Sequence, residues 1–137
     1  MASQEEEIVK GTVDVDNLFY PVGTSYVENG TEKVGCTVTM LSCKTALTAS
    51  HCVDIALHDR PKSDDPVVET MTEGSWGYIT VLGPDGIEQI GWLSGRVIRS
   101  IHSRVTKANT SDIALVEVLT APKKRNHTHQ TSQVRIC

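Results

Sequence analysis

Apolar and polar positions alternate along this chain in short runs, and nowhere do apolar residues recur at helical spacing over a convincing length. Runs rich in Val, Ile, Thr and Tyr fall at Val22–Val27, Gly35–Met40, Thr45–Thr48, Ser75–Leu82, Leu93–Ile101 and Ile113–Val118. Side chains of these types suit a pleated, half-buried surface. Turn-forming residues separate the runs: "ENGTE" follows the first, "GPDG" precedes the fifth and "KANTSD" precedes the sixth. Six short strands with long connections predict an all-β chain, a small antiparallel barrel or sandwich. Residues 58–73 read as an exposed acidic insertion and the tail from Ala121 as a linker. The tetrapeptide "DIAL" occurs at Asp54–Leu57 and again at Asp112–Leu115, too short to be a repeat.

At 137 residues the chain predicts one domain with a real core. A formal charge of −4 argues against general nucleic-acid binding, which needs a positive surface. The one basic cluster, Lys123–Arg125, reads as a solvated loop. No apolar run approaches the ~20 residues that span a bilayer, so no membrane partner is expected. The opening "MASQEEEIVKG" is acidic and lacks the apolar stretch of a signal peptide. Cysteines at 36, 43, 52 and 137 admit three pairings or a metal. There is no CxxC, and His127 and His129 form an HxH in a loop without a nearby Cys or carboxylate. No metal and no cofactor is therefore expected. Sequons at Asn29, Asn109 and Asn126 matter only for a secreted chain.

Chemistry concentrates in "LTASHCVDIAL", residues 47–57. A histidine that takes a proton from a serine or cysteine needs a carboxylate on its other ring nitrogen. The carboxylate fixes the tautomer and stabilises the imidazolium. Asp54 lies three residues from His51, on what reads as the same solvated turn. Asp112 lies where the polar "KANTS" enters the apolar "IALVEV", a loop-to-strand junction at which a carboxylate is more readily buried and clamped. The residues favour Asp112 over Asp54 as the orienter, and they also admit an ordinary turn histidine at position 51.

The stretch "TASHC" resembles the histidine motif TAAHC of the chymotrypsin/trypsin-like serine proteases. Other marks follow in the family's order. Ile8-Val9-Lys10-Gly11 resembles its mature amino terminus, IVGG, with Lys10 in place of the first glycine. Tyr20-Pro21-Val22 resembles its first strand, and Val97–His102 the strand that ends in His-Pro. Ser111–Leu115 resembles its catalytic-aspartate motif, and Val134–Cys137 the segment that joins its two barrels. The resemblance covers residues 8 to 137.

That resemblance implies a six-stranded antiparallel Greek-key barrel, the first barrel of a trypsin-like two-barrel fold. It implies an acidic extension or pro-segment remnant at 1–7, the barrel at 8–120 and a linker at 121–137. His51 becomes the general base, Asp112 its orienter and Ile8 the activation terminus, although Glu5–Glu7 precede Ile8 where the family has Arg or Lys. Cys36, sixteen residues before Cys52, matches the disulfide across the histidine loop. Asp54 becomes a surface residue and His102 a structural one. Cys43 and Cys137 are left to join each other, stay free or pair with cysteines elsewhere.

The family draws its serine, in GDSGG, from a second barrel, together with the oxyanion hole and the specificity pocket. No GDSGG occurs in this chain, and Ser50, Ser75, Ser94 and Ser111 do not resemble it. The family's GGSL after the first cysteine is Thr37-Val38-Thr39-Met40 here. The resemblance thus implies the amino-terminal half of a secreted serine endopeptidase. It would act on protein or peptide substrates once a second barrel or partner chain supplies the nucleophile, and be inactive alone. A second reading is a non-catalytic, protease-like binding module or decoy. A third is a structural β-domain, which expects His51 and Asp112 to lie apart.

Overall fold

Among the described residues, eight strands form one antiparallel sheet that curls until its ends meet. They are β1 (Val22–Asn29), β2 (Glu32–Ser42), β3 (Thr45–Thr48), β4 (Val67–Thr70), β5 (Trp76–Leu82), β6 (Glu88–Arg99), β7 (Ala114–Val118) and β8 (Lys123–Lys124). The structure is a computed structural model and describes residues 10–58, 61–63, 65–83, 85–100, 112–119 and 123–124. Six strands close the barrel in the order β1-β2-β3-β7-β6-β5, with β5 returning to β1. β1 and β2 pair from Val22 opposite Thr39 to Asn29 opposite Glu32, across a two-residue turn in which Gly30 takes φ 62°.

The alternation seen in the sequence is the alternation of inside and outside. In β5, Gly77, Ile79 and Val81 are buried, while Trp76 and Leu82 are exposed. In β7, Ala114, Val116 and Val118 are buried. With Val27, Val38, Met40, Ala46 and Val97 these residues fill the interior. Leu57, Val53 and Ala56 close the cluster from the segment after β3. The seam between β1 and β5 is tight because glycines line it. A Cβ on Gly77 would stand 2.6 Å from the Tyr26 carbonyl oxygen, and one on Gly23 only 2.0 Å from that of Thr80.

β6 does the turning. Its first half pairs with β5 and its second half, from Leu93, with β7. Between them the register shifts, and Gly95 adopts φ 99° in the bulge. Bulges bend a strand and raise its twist, which here carries β6 from one side of the barrel to the other. Outside, Tyr26, Tyr78 and Trp92 stand side by side in register on β1, β5 and β6. Trp76 joins them, with its ring 5.5 Å from Tyr26 and 6.2 Å from Trp92.

Three expectations need correction. The acidic stretch 58–73 is not all exposed insertion: Val67–Thr70 is β4, paired to the far end of β6 from Val67 opposite Arg99 to Thr70 opposite Arg96. The basic cluster is not purely loop, since Lys123 and Lys124 pair with Ile90 and Gln89. β6 begins at Glu88 rather than Leu93, because Gln89 and Gly91 are buried against the barrel although neither belongs to an apolar run.

Candidate active site

After β3 the chain leaves the barrel wall at Ala49 and makes two consecutive 3-10 turns, Ser50–Cys52 and Asp54–Ala56. The first N–H groups of such a turn have no partner within it. Asp112, just before β7, supplies two acceptors. Its carbonyl oxygen accepts from the Ser50 N–H at 3.1 Å, and its Oδ1 accepts from the His51 N–H at 3.0 Å. Its other oxygen, Oδ2, is hydrogen-bonded to His51 Nδ1. The two residues are neighbours because β3 and β7 pair directly, with Thr48 opposite Ala114 at their common end.

The carboxylate side chain is 19 % exposed and the imidazole 66 %. An ionised carboxylate only accepts hydrogen bonds, so the hydrogen of a neutral imidazole sits on Nδ1 and the lone pair on Nε2. A partly sheltered carboxylate therefore holds one ring nitrogen while the ring faces solvent. Such a pair can take a proton from a group brought to Nε2 and stabilise the resulting cation.

The paired turns are fastened at three further points. A disulfide joins Cys36 on β2 to Cys52. On the other side Arg99, at the end of β6, is buried with its side chain 1 % exposed. Its Nη1 donates to Asp54 Oδ1 at 2.5 Å, its Nη2 to the His58 carbonyl at 3.1 Å and to Glu69 Oε1 at 3.3 Å, and its Nε to Glu69 Oε2. Ser50 Oγ lies 3.4 Å from Asp54 Oδ1. Asn29, expected only as a sequon, donates its side-chain amide to the Ile55 carbonyl at 2.6 Å and ties the end of β1 to the second turn.

Of the residues singled out in the sequence, His51 and Asp112 come together, and Cys36 and Cys52 are joined. Asp54 corrects its expectation: its side chain is only 24 % exposed, because it is an ion-pair partner of Arg99 rather than a solvated surface group. Ser94 has a structural partner, Glu117, whose Oε1 it reaches at 2.7 Å. Cys43 is also disulfide-bonded. Ile8, His102, Asn109, Ser111, Asn126, His127, His129 and Cys137 lie outside the described residues.

Cys36, Cys52 and His51 bring candidate ligand atoms within 4.8 Å of one another. Both sulfurs are consumed by the disulfide, so this trio offers a metal no thiolate. The sequence reading missed Arg99 and Glu69. A signal was present: Arg99 shares the inward parity of Val97, so a cation was placed where a barrel residue belongs and needed an anion.

No protein-family profile, curated protein or solved structure matches the chain.

Proposed function

We propose that this chain is the amino-terminal barrel of a trypsin-like serine endopeptidase, with His51 as general base and Asp112 as its orienter. The observation that carries this reading is the double engagement of Asp112, through Oδ2 to His51 Nδ1 and through Oδ1 to the His51 backbone. One carboxylate thereby sets both the ring's tautomer and the turn that presents it. A structural β-domain with an accidental motif expects the two side chains apart. The order of motifs and the Cys36–Cys52 bridge across the histidine loop add support.

In this reading the strand order is that of the family's first Greek-key barrel. The serine, the oxyanion donors and the specificity pocket come from a second barrel that packs against the side carrying His51. A serine hydroxyl placed at Nε2 gives up its proton as it attacks the peptide carbonyl, and the imidazolium returns that proton to the leaving amine. Base and orienter without the nucleophile give almost no acyl transfer, because such a triad acts as a unit. The substrates are proteins or peptides, and disulfides of this kind persist outside reducing compartments.

The test is complementation. The chain is co-expressed with a serine-bearing second barrel of the family, and hydrolysis of fluorogenic peptides is followed. Hydrolysis that disappears in both His51→Ala and Asp112→Ala supports the reading. Absence of hydrolysis with every such barrel, or activity that survives His51→Ala, overturns it.

A further inference from the structure

We propose that Arg99 is a positioning residue for His51, acting through Asp54 and the paired 3-10 turns; this inference rests on the reading of His51 as the base. Three facts lead to it. Arg99 is buried, and every hydrogen bond described for its guanidinium goes either to the turn segment or to β4. It grips the start of the second turn, at the Asp54 side chain, and the chain just beyond that turn, at the His58 carbonyl. That turn is continuous with the one carrying His51, since Val53 caps both: its N–H donates to the Ser50 carbonyl at 3.0 Å and its own carbonyl accepts from the Ala56 N–H at 3.0 Å.

His51 therefore sits between two clamps. Asp112 holds the start of the segment from β7, and Arg99 holds its end from β6. Strands β6 and β7 are themselves paired, from Val97 opposite Val116 to Ile98 opposite Leu115, so both clamps are fixed to one stretch of sheet. A hydrogen bond between two side chains survives only small displacements. The Cys36–Cys52 bridge still pins the segment beside His51, so letting go of the Arg99 clamp frees it to pivot about that point and carries the imidazole off Asp112. The electrostatics act in the same direction. Asp54 and Glu69 share one cation, so removing it leaves two partly buried carboxylates facing each other, and their repulsion drives β4 away from the turn.

The bland alternative is that Arg99 only stabilises the barrel. The His51 tautomer separates the two, because stability alone does not set it. Free histidine favours the Nε2–H tautomer, whereas Asp112 selects Nδ1–H; nitrogen-15 shifts of the labelled imidazole distinguish them. The full chain is compared with Arg99→Met, with Asp54→Ala, which cuts one arm and leaves Glu69 paired, and with Arg99→Met/Asp54→Asn/Glu69→Gln, which removes the unbalanced charge. Expected is an excess of Nδ1–H in the wild type that is lost in Asp54→Ala and Arg99→Met while far-UV circular dichroism stays barrel-like. The triple variant regains part of it. If Arg99→Met does not fold, Asp54→Ala decides. An unchanged tautomer in folded Asp54→Ala overturns the role of Arg99 and leaves the His51–Asp112 pair standing. An ordinary tautomer mixture already in the wild type overturns the pair itself, and this inference with it.

Discussion

Replacing Cys36 and Cys52 together by alanine removes the bridge that pins the histidine turn to β2. The bond closes a loop over a separation of 16 residues. In the chain-entropy account that closure is worth about 3 kcal/mol at 25 °C, because the open chain regains conformations that the bridge denies it. For 137 residues, an unfolding entropy of about 2.1 cal/mol/K per residue converts that loss into a fall of roughly 10 °C in Tm. Loss of the Cys52 side chain from its buried site adds to the effect. The substitution is a cleaner perturbation than a reducing agent, since Cys43 is also disulfide-bonded and would be released too. The assay is thermal unfolding of both proteins under oxidising conditions, followed by far-UV circular dichroism. Equal midpoints would refute the reasoning: they would mean that the bridge does not form, or that the unfolded chain is already as restricted without it.

Changing His51 to Ala should cost only about 1 kcal/mol, the net worth of its hydrogen bond to Asp112, yet abolish hydrolysis in the complemented enzyme; chemical denaturation and peptide cleavage check the two halves. Gly77→Ala should cost about 1–3 kcal/mol, because its Cβ meets the Tyr26 carbonyl and the Leu93 side chain, and a denaturant midpoint equal to wild type would contradict the tight seam. The Tyr26 hydroxyl donates to Glu28, and this bond, with burial and the carboxylate's charge, pushes the phenol up from 10.0 to about 12. The folded state then holds a proton that the unfolded chain releases, so this contribution to stability is intact below about pH 10 and is lost as pH rises through about 12. Phenolate absorbance should show a late titration that belongs to Tyr26, and Glu28→Gln should bring it to lower pH.

The barrel was legible in the sequence where one face of a strand is buried and the other is wet, as in β5 and β7, since burial then imposes a period of two. It was not legible at β4, four residues set in an acidic stretch, because what secures β4 is a partner strand and an ion pair from a distant residue rather than its own apolar pattern. The preference for Asp112 over Asp54 followed from local physics, a junction against a turn. The reason Asp54 is unavailable did not, because it requires knowing that Arg99 points inward beneath the turn. Four cysteines left the disulfide undetermined by composition, and the pairing of Cys36 with Cys52 followed from the resemblance. Arg99 was the clearest missed cue, a charge in step with the inward-facing Val97.

The aromatic row has an optical consequence. Both tryptophans of the chain, Trp76 and Trp92, belong to it, with their rings 6.2 Å apart on neighbouring strands. Intrinsic fluorescence is therefore a spectroscopic gauge of a single wall of the barrel, the one where β5 meets β6. The residues around His51 contribute no indole. A variant that loosens only the histidine turn would leave emission unmoved, whereas parting β5 from β6 would shift it and erase any far-UV exciton couplet between the two indoles.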